Sequence, residues 1–396
     1  MNVKINPEKL FGEVFAISSK SFAHRMIIAA ALADKKTKIN LNIYSEDIDA
    51  TLSCIEALGA RVEKQKDYVL VYPIKKGLKN VVLDCNESGS TARFLLPVAA
   101  AVSDSFKMVG RGRLPERPLL PLVSQMTKNG VTTDSDRLPM SVSGRLMSGK
   151  YEIAGNISSQ YITGLLMALP LMEGESEIIL TSHLESAAYV DITLDVLSRF
   201  GVKIEKTDNG YRVFPSVYTS PGEISVEGDW SNAAFWVVAD KICGNIKIKG
   251  LNYDSLQGDM GILTEVGKDI IDANQIPDLV PILAVAACAK SGRTQIINAQ
   301  RLRIKESDRL KAVCLTLTAL GADVLETDDG LIINGNKKLN GGEIDSFNDH
   351  RIVMSGAIAS CLCENPVIIK NAQAVNKSYP TFFEDFKKLG GCIEIK

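Results

Sequence analysis

Several short segments place a hydroxyl or amide beside a cation just ahead of an apolar run. Lys20, Ser21 and Arg25 come before MIIAAALA, Gly89, Ser90, Thr91 and Arg93 before FLLPVAAAV, and Ser158, Ser159 and Gln160 before YITGLLMALPL. Farther along, Asp278 lies in IPDLVPILAVAACA, and Asp349, His350 and Arg351 come before IVMSGAIAS. Each reads as the start of a helix, where Ser, Thr and Asp are ordinary caps. Capping does not explain the cations. The helix macrodipole favours Lys and Arg at the opposite end, yet Lys20, Arg25, Arg93 and Arg351 fall in the first two turns. Free N–H groups, a hydroxyl and a guanidinium together make an anion site. More polar groups lie between and after these starts: Arg117 in LPERP, Ser186 and Tyr189 in ESAAYVDIT, Lys305, Glu306 and Arg309 in RIKESDR, and Lys377 in NKSYP. The pattern predicts several helix N-termini converging on one highly anionic ligand, in a cleft between two halves of the chain.

Other motifs are weaker. GRLMSGK, residues 144–150, matches a phosphate-binding loop except at the final hydroxyl, where Tyr151 stands, and the following YEIAGN reads as strand. No GxSxG or HExxH occurs, and His24, His183 and His350 are far apart, so neither a serine triad nor a metal centre is expected. Trp230 and Trp236 are expected to pack rather than stack on a ligand. The eight cysteines lack CxxC spacing and are expected as reduced thiols.

The elements that must position these residues form a repeat. A helix-like run ending in Gly and followed by a short strand recurs at Gly59, Gly130, Gly201, Gly267, Gly321 and Gly390. A second amphipathic helix lies upstream of each, and segments such as VVLDC, NIKIKG, GLIING and NPVIIK read as strands. Six α/β units are therefore expected, three on each side of a boundary near Gly222 to Gly228. The N-terminal VKINP is strand-like and free to pair with either half.

Charge and hydropathy exclude other classes. With 45 Lys plus Arg against 47 Asp plus Glu, the chain is nearly neutral, unlike a domain built for the nucleic-acid backbone. At 45% hydrophobic residues it is too apolar for a disordered chain, and its longest apolar run, Leu279 to Ala289, is too short to span a bilayer. No nucleic acid or membrane partner is expected. The N-terminus shows no secretion signal, so a cytoplasmic location is expected.

Taken in order, KSFAHR, ESGSTARF, RGRLPERP, ISSQY, IPD, RIKESDR, NDHR and NKSYP, spanning residues 20 to 380, closely resemble the 3-phosphoshikimate 1-carboxyvinyltransferase family of enolpyruvyl transferases. The resemblance implies an α/β (α+β) fold of two similar domains, each a threefold repeat of βαβαββ units. One domain would hold residues 1–18 and 228–396, the other residues 19–227, with the active site in the cleft. It further implies transfer of the enolpyruvyl group of phosphoenolpyruvate to the 5-hydroxyl of shikimate 3-phosphate, through a tetrahedral ketal that loses phosphate. No metal or organic cofactor is implied, and a monomer is expected. By the same resemblance, Ser21, Arg25, Ser158, Ser159, Ser186, Tyr189, Asp278 and Lys305 hold shikimate 3-phosphate. Gly89, Arg93, Arg117, Arg309, Arg351 and Lys377 surround phosphoenolpyruvate, and Lys20 and Gln160 touch both. Asp278 serves as base and Glu306 as acid, with Lys20 and Lys377 as further carriers of protons.

Two positions depart from the family pattern. Glu87 replaces a common Asn in the phosphoenolpyruvate loop, and Arg301 stands where some members have Asn. The alternatives are the sister enzyme acting on UDP-N-acetylglucosamine, which normally has a loop cysteine that Arg111 to Pro118 lacks, and a non-catalytic anion-binding scaffold.

Overall fold

The computed structural model describes residues 1–74, 78–335 and 338–395. Lys396, the final residue of the expected 228–396 domain, lies outside them. The chain divides into two compact units, one of Ser18–Val226 and one of Met1–Ile17 with Glu227–Lys396.

In Ser18–Val226 the helices come in pairs: α1 (Lys20–Leu32) and α2 (Glu46–Ala57), α3 (Gly89–Val102) and α4 (Leu120–Lys128), α5 (Ser159–Ala168) and α6 (Ala187–Arg199). Each pair belongs to a four-stranded sheet. The first sheet runs in the order Glu223–Ser225, Thr37–Asn40, Tyr68–Tyr72, Arg61–Lys64. Its first two strands are parallel and the remaining pairings antiparallel. The sheets built on Val81–Asp84 and Lys150–Ile153 repeat this order and these directions. Within strand Tyr68–Tyr72, Val69 and Val71 are fully buried while their neighbours are half-buried, the period-two pattern of a sheet with one face on a core.

The first helix of each pair is apolar on nearly every side, so it can only sit inside. Every residue of α3 except Ser90, Ala101 and Val102 is buried, and α5 is buried at all positions except Gln160. A Cβ on Gly164 of α5 would collide with the main-chain oxygen of Arg93, so α3 and α5 approach closely and bring Arg93 near Gln160.

The other unit repeats the plan with α7 (Trp230–Cys243) and α8 (Ile262–Glu265), α9 (Val280–Ala289) and α10 (Arg309–Ala319), α11 (His350–Ala359) and α12 (Phe382–Lys388). One four-stranded sheet is built on Ile270–Asp272 and Gly292–Ile297. In another, the N-terminal strand Val3–Asn6 lies between Val367–Lys370 and Cys392–Ile395, which settles where VKINP pairs. Trp230 and Trp236 are buried in packing, with Trp236 stacked on Phe382 at 5.0 Å between ring centroids.

One copy departs from the expected regularity. The fourth unit has only the parallel pair Gly12–Phe15 and Ile246–Lys249, and its second helix, α8, is four residues long. Gly267 has the positive φ of a helix-ending glycine, but it follows that single turn rather than a full helix. Only about a dozen residues separate Gly258 from Ile270, too few for the helix and the two antiparallel strands found in the other copies. Among the described residues the six expected units are present, five as full copies with a four-stranded sheet and the fourth shortened.

Candidate active site

Within Ser18–Val226, the starts of α1, α3 and α5 carry the expected polar groups. Ser88 caps α3 by accepting from the Thr91 N–H, and Ser158 caps α5 by accepting from the Gln160 N–H. A methyl group placed on Gly89 would lie 2.7 Å from a terminal guanidinium nitrogen of both Arg93 and Arg117. Two buried guanidiniums therefore converge on the first residue of a helix, where the free N–H groups add positive potential. Glycine leaves that space to the guanidiniums. Arg93 donates to the Gln160 side-chain oxygen at 2.8 Å, and the Gln160 amide donates to Ser90 at 2.9 Å.

Arg25 is 2% exposed and donates to hydroxyls and carbonyls: Thr193 at 2.8 Å, Thr163 at 3.3 Å, and the main-chain oxygens of Ser21 at 2.7 Å and Tyr189 at 2.8 Å. Burial pushes this guanidinium down to about 9. Lys20 meets the Asp47 carboxylate at 2.7 Å. Ser186 precedes α6 in a left-handed conformation, φ 55°, a cost of the kind that gathers at functional sites.

The other unit arranges its cations differently. Asp278, in a short 3-10 turn ahead of α9, faces Arg309 at 2.9 Å, Arg351 at 3.2 Å and Lys305 at 3.3 Å. Burial alone would raise its carboxyl; Arg351, Lys305 and Arg309 outweigh that and, against repulsion from Glu306, hold it well below the ordinary range. Arg309 also meets Glu306 at 2.6 Å and the fully buried Asp349 at 2.9 Å. Burial disfavours its charge, yet Asp349, Glu306 and Asp278 together raise it. Asp349 caps α11, accepts from the Arg351 N–H at 2.9 Å and from the Ser307 hydroxyl at 3.0 Å. Arg351 in turn donates to Ser231, at the start of α7, at 2.7 Å. Lys377 donates to the Asn348 carbonyl at 2.6 Å, in a turn where Phe347 and Asn348 are both left-handed.

The sequence-predicted residues divide between the two units. Lys20, Ser21, Arg25, Gly89, Arg93, Arg117, Ser158, Ser159, Gln160, Ser186 and Tyr189 belong to one unit. Asp278, Lys305, Glu306, Arg309, Arg351 and Lys377 belong to the other. Sequence reading missed Asp47 as the partner of Lys20 and Thr163 and Thr193 as partners of Arg25. The Asp47 signal was a helix-start acid, indistinguishable from ordinary dipole compensation. Glu87 turns toward the Arg111–Pro118 loop, since a Cβ on Gly112 would collide with its carboxylate. Arg301 donates to the Asn274 carbonyl at 2.8 Å. Among the described residues, no group of three or more His, Cys, Asp or Glu side chains is placed to hold a metal ion. No helix among them is long and apolar enough to cross a membrane.

The family model for EPSP synthase (3-phosphoshikimate 1-carboxyvinyltransferase) matches residues 5–273 and 267–386. The chain belongs to the EPSP synthase family. A 3-phosphoshikimate 1-carboxyvinyltransferase from Clostridium novyi is 44% identical over 429 aligned positions, covering 99% of this chain and 98% of the relative. One from Clostridioides difficile is 42% identical, with the same coverage. The solved EPSP synthase from Acinetobacter baumannii matches with a TM-score of 0.83 at 24% identity, over 100% of this chain and 99% of that one. The enolpyruvyl transferase NikO from Streptomyces tendae matches at 0.78 and 17%, over 99% of this chain and 98% of that one. These two likenesses establish the α/β fold of repeated units.

Proposed function

We propose that this EPSP synthase family member transfers the carboxyvinyl group of phosphoenolpyruvate to the 5-hydroxyl of shikimate 3-phosphate and releases phosphate. The observation that carries the reading is the convergence of Arg93 and Arg117 on Gly89, an arrangement whose mutual repulsion is relieved by a bound dianion. In this reading Gly89, Arg93, Arg117, Arg309, Arg351 and Lys377 receive phosphoenolpyruvate. Ser21, Arg25, Ser158, Ser159, Ser186, Tyr189 and Lys305 receive shikimate 3-phosphate, with Lys20 and Gln160 serving both. Arg25 suits a phosphate well, because its partners are neutral and its charge is still unmatched by a carboxylate on the hydrogen bonds it makes.

The acceptor oxygen bonds to C2 of phosphoenolpyruvate, its proton passes to a base, and a proton adds to the methylene carbon. The resulting ketal then loses that added proton's equivalent from the methyl carbon as the bond from C2 to the phosphate oxygen breaks. Asp278 takes the hydroxyl proton and Glu306 serves the carbon, with Lys20 and Lys377 as further carriers. An acid and a base are what such an addition and elimination require. Held by three cations, Asp278 is a weak base. When substrate anions engage Lys305, Arg309 and Arg351, those cations are shared and the carboxylate grows more basic. Substrate binding therefore prepares the base. Action in the cytoplasm as a monomer is part of the same proposal.

The family's sister reaction is not favoured, since the Arg111–Pro118 loop has no cysteine and the named relatives carry the shikimate activity. The test is phosphate release. Phosphoenolpyruvate with shikimate 3-phosphate should release it, and UDP-N-acetylglucosamine should not substitute; release with the latter alone, or with neither acceptor, would reject the proposal.

A further inference from the structure

A line of polar side chains joins α1, α2 and α3, and the proposed reaction uses none of them. His24 Nδ1 on α1 lies 2.7 Å from the Thr51 hydroxyl on α2, which lies 2.6 Å from the Thr91 hydroxyl on α3. Thr91 in turn donates to the Ser88 hydroxyl at 2.7 Å. All four residues are buried, His24 at 1% exposure and the others at none. The line ends at the cap of α3, where Ser88 also accepts from the Thr91 N–H at 3.2 Å and Gly89 comes next. We propose that Thr51 is a positioning residue: with His24 and Thr91 it fixes the start of α3, through a line that runs one way, from a proton on His24 Nδ1 to the Ser88 oxygen. The positioning role rests on the reading of Gly89, Arg93 and Arg117 as the seat of phosphoenolpyruvate.

The direction follows from counting protons. A hydroxyl has one proton to give. Thr91 gives its proton to Ser88, so its oxygen must receive from Thr51. Thr51 then has none left for His24, and Nδ1 must be the donor. The Asp47 main-chain oxygen competes weakly, at 3.5 Å from the Thr51 hydroxyl and 3.4 Å from that of Thr91, beyond the usual reach of an O–H donor. Burial, reinforced by Lys20 and Arg25, holds the ring neutral, so it has a single ring proton to place. Among the described residues Nε2 meets no hydrogen-bond partner, which suits a lone pair better than an N–H, the rarer group to be orphaned in a protein interior. The line thus selects the Nδ1–H tautomer, the one a free histidine side chain populates less.

Thr51 is the link that touches both neighbouring helices. Valine at this position keeps the branched shape and removes the hydroxyl, so His24 and Thr91 each lose a buried partner. The Thr91 hydroxyl is then no longer held toward Ser88. The cap loosens where Gly89 leaves room for the Arg93 and Arg117 guanidiniums.

Nitrogen NMR of the full chain with labelled histidine, assigned with His24→Gln, reads the direction without any assay. A protonated Nδ1 and a bare Nε2 are expected in the native protein. Thr51→Val should lose that tautomer preference and raise KM for phosphoenolpyruvate about tenfold, with kcat within about twofold of the native value. Thr51→Ser, which returns the hydroxyl, should restore both the tautomer and KM. A proton on Nε2 in the native protein, or a folded Thr51→Val with native KM, would overturn the proposal. Should Thr51→Val fail to fold, the native tautomer decides alone. Failure of the underlying functional reading shows separately, as a native protein that releases no phosphate whichever nitrogen carries the proton.

Discussion

The two units hold their cations in opposite ways. In Ser18–Val226, Arg25 is buried among hydroxyls and carbonyls, and Arg93 and Arg117 converge on one glycine. In the other unit, Arg309 is surrounded by Asp278, Glu306 and Asp349. Arg25 is accordingly pushed down by burial, while Arg309 is raised by its carboxylates. The contrast separates two tasks. In the proposed reaction a guanidinium with neutral partners keeps its field for a ligand, whereas one locked among carboxylates holds the proposed acid and base in place and yields part of its charge when an anion arrives.

Mutations at the two arginines should split along this line. Arg309→Met leaves the buried Asp349 without its guanidinium and should destabilise the protein by about 3–5 kcal/mol, read as a lower urea midpoint. Arg25→Met removes a buried charge that lacks a carboxylate. It should change the urea midpoint of the unliganded protein by no more than about 1 kcal/mol, while weakening shikimate 3-phosphate binding by about 10²-fold in calorimetry. Equal destabilisation by both variants would erase the distinction.

Gly89→Ala probes the open half at smaller scale. The added methyl would press on the Arg93 and Arg117 guanidiniums, whose ends can move, so a rise of about tenfold in KM for phosphoenolpyruvate is expected with kcat less affected. An unchanged KM would mean that the guanidiniums do not meet the substrate there.

The smallest effect concerns pH. His24 is held neutral by burial, reinforced by Lys20 and Arg25, with one ring nitrogen against the Thr51 hydroxyl at 2.7 Å. Its folded pKa is depressed, so below about 6.5 the unfolded chain takes up a proton that the folded chain refuses. Stability from this group is complete above that pH and is lost as pH falls, by up to about 1.4 kcal/mol per unit. His24→Gln should flatten this part of the profile of urea midpoint against pH; an identical slope would assign it elsewhere.

Much of the proposed site was legible in sequence because its residues lie at helix starts, where caps and cations sit a few residues apart. Ser158, Gly89, Arg93 and Arg351 could be picked out from local spacing. The partners could not. Asp47 is 27 residues from Lys20, and Thr193 is 168 from Arg25, distances bridged only by packing. The shortened fourth copy was hidden for a different reason. Gly267 has the positive φ of the repeat's helix-ending glycines although a single helical turn precedes it, so a reading keyed to glycine counts this unit like the others.

The central claim is that substrate anions release Asp278 from its counter-ions. The most direct test is the titration of the Asp278 carboxyl by carbon NMR, assigned with Asp278→Asn, in the free protein and with shikimate 3-phosphate bound. The account predicts a pKa well below the ordinary carboxylate range in the free protein that rises on binding. A value that stays put or falls on saturation would contradict it.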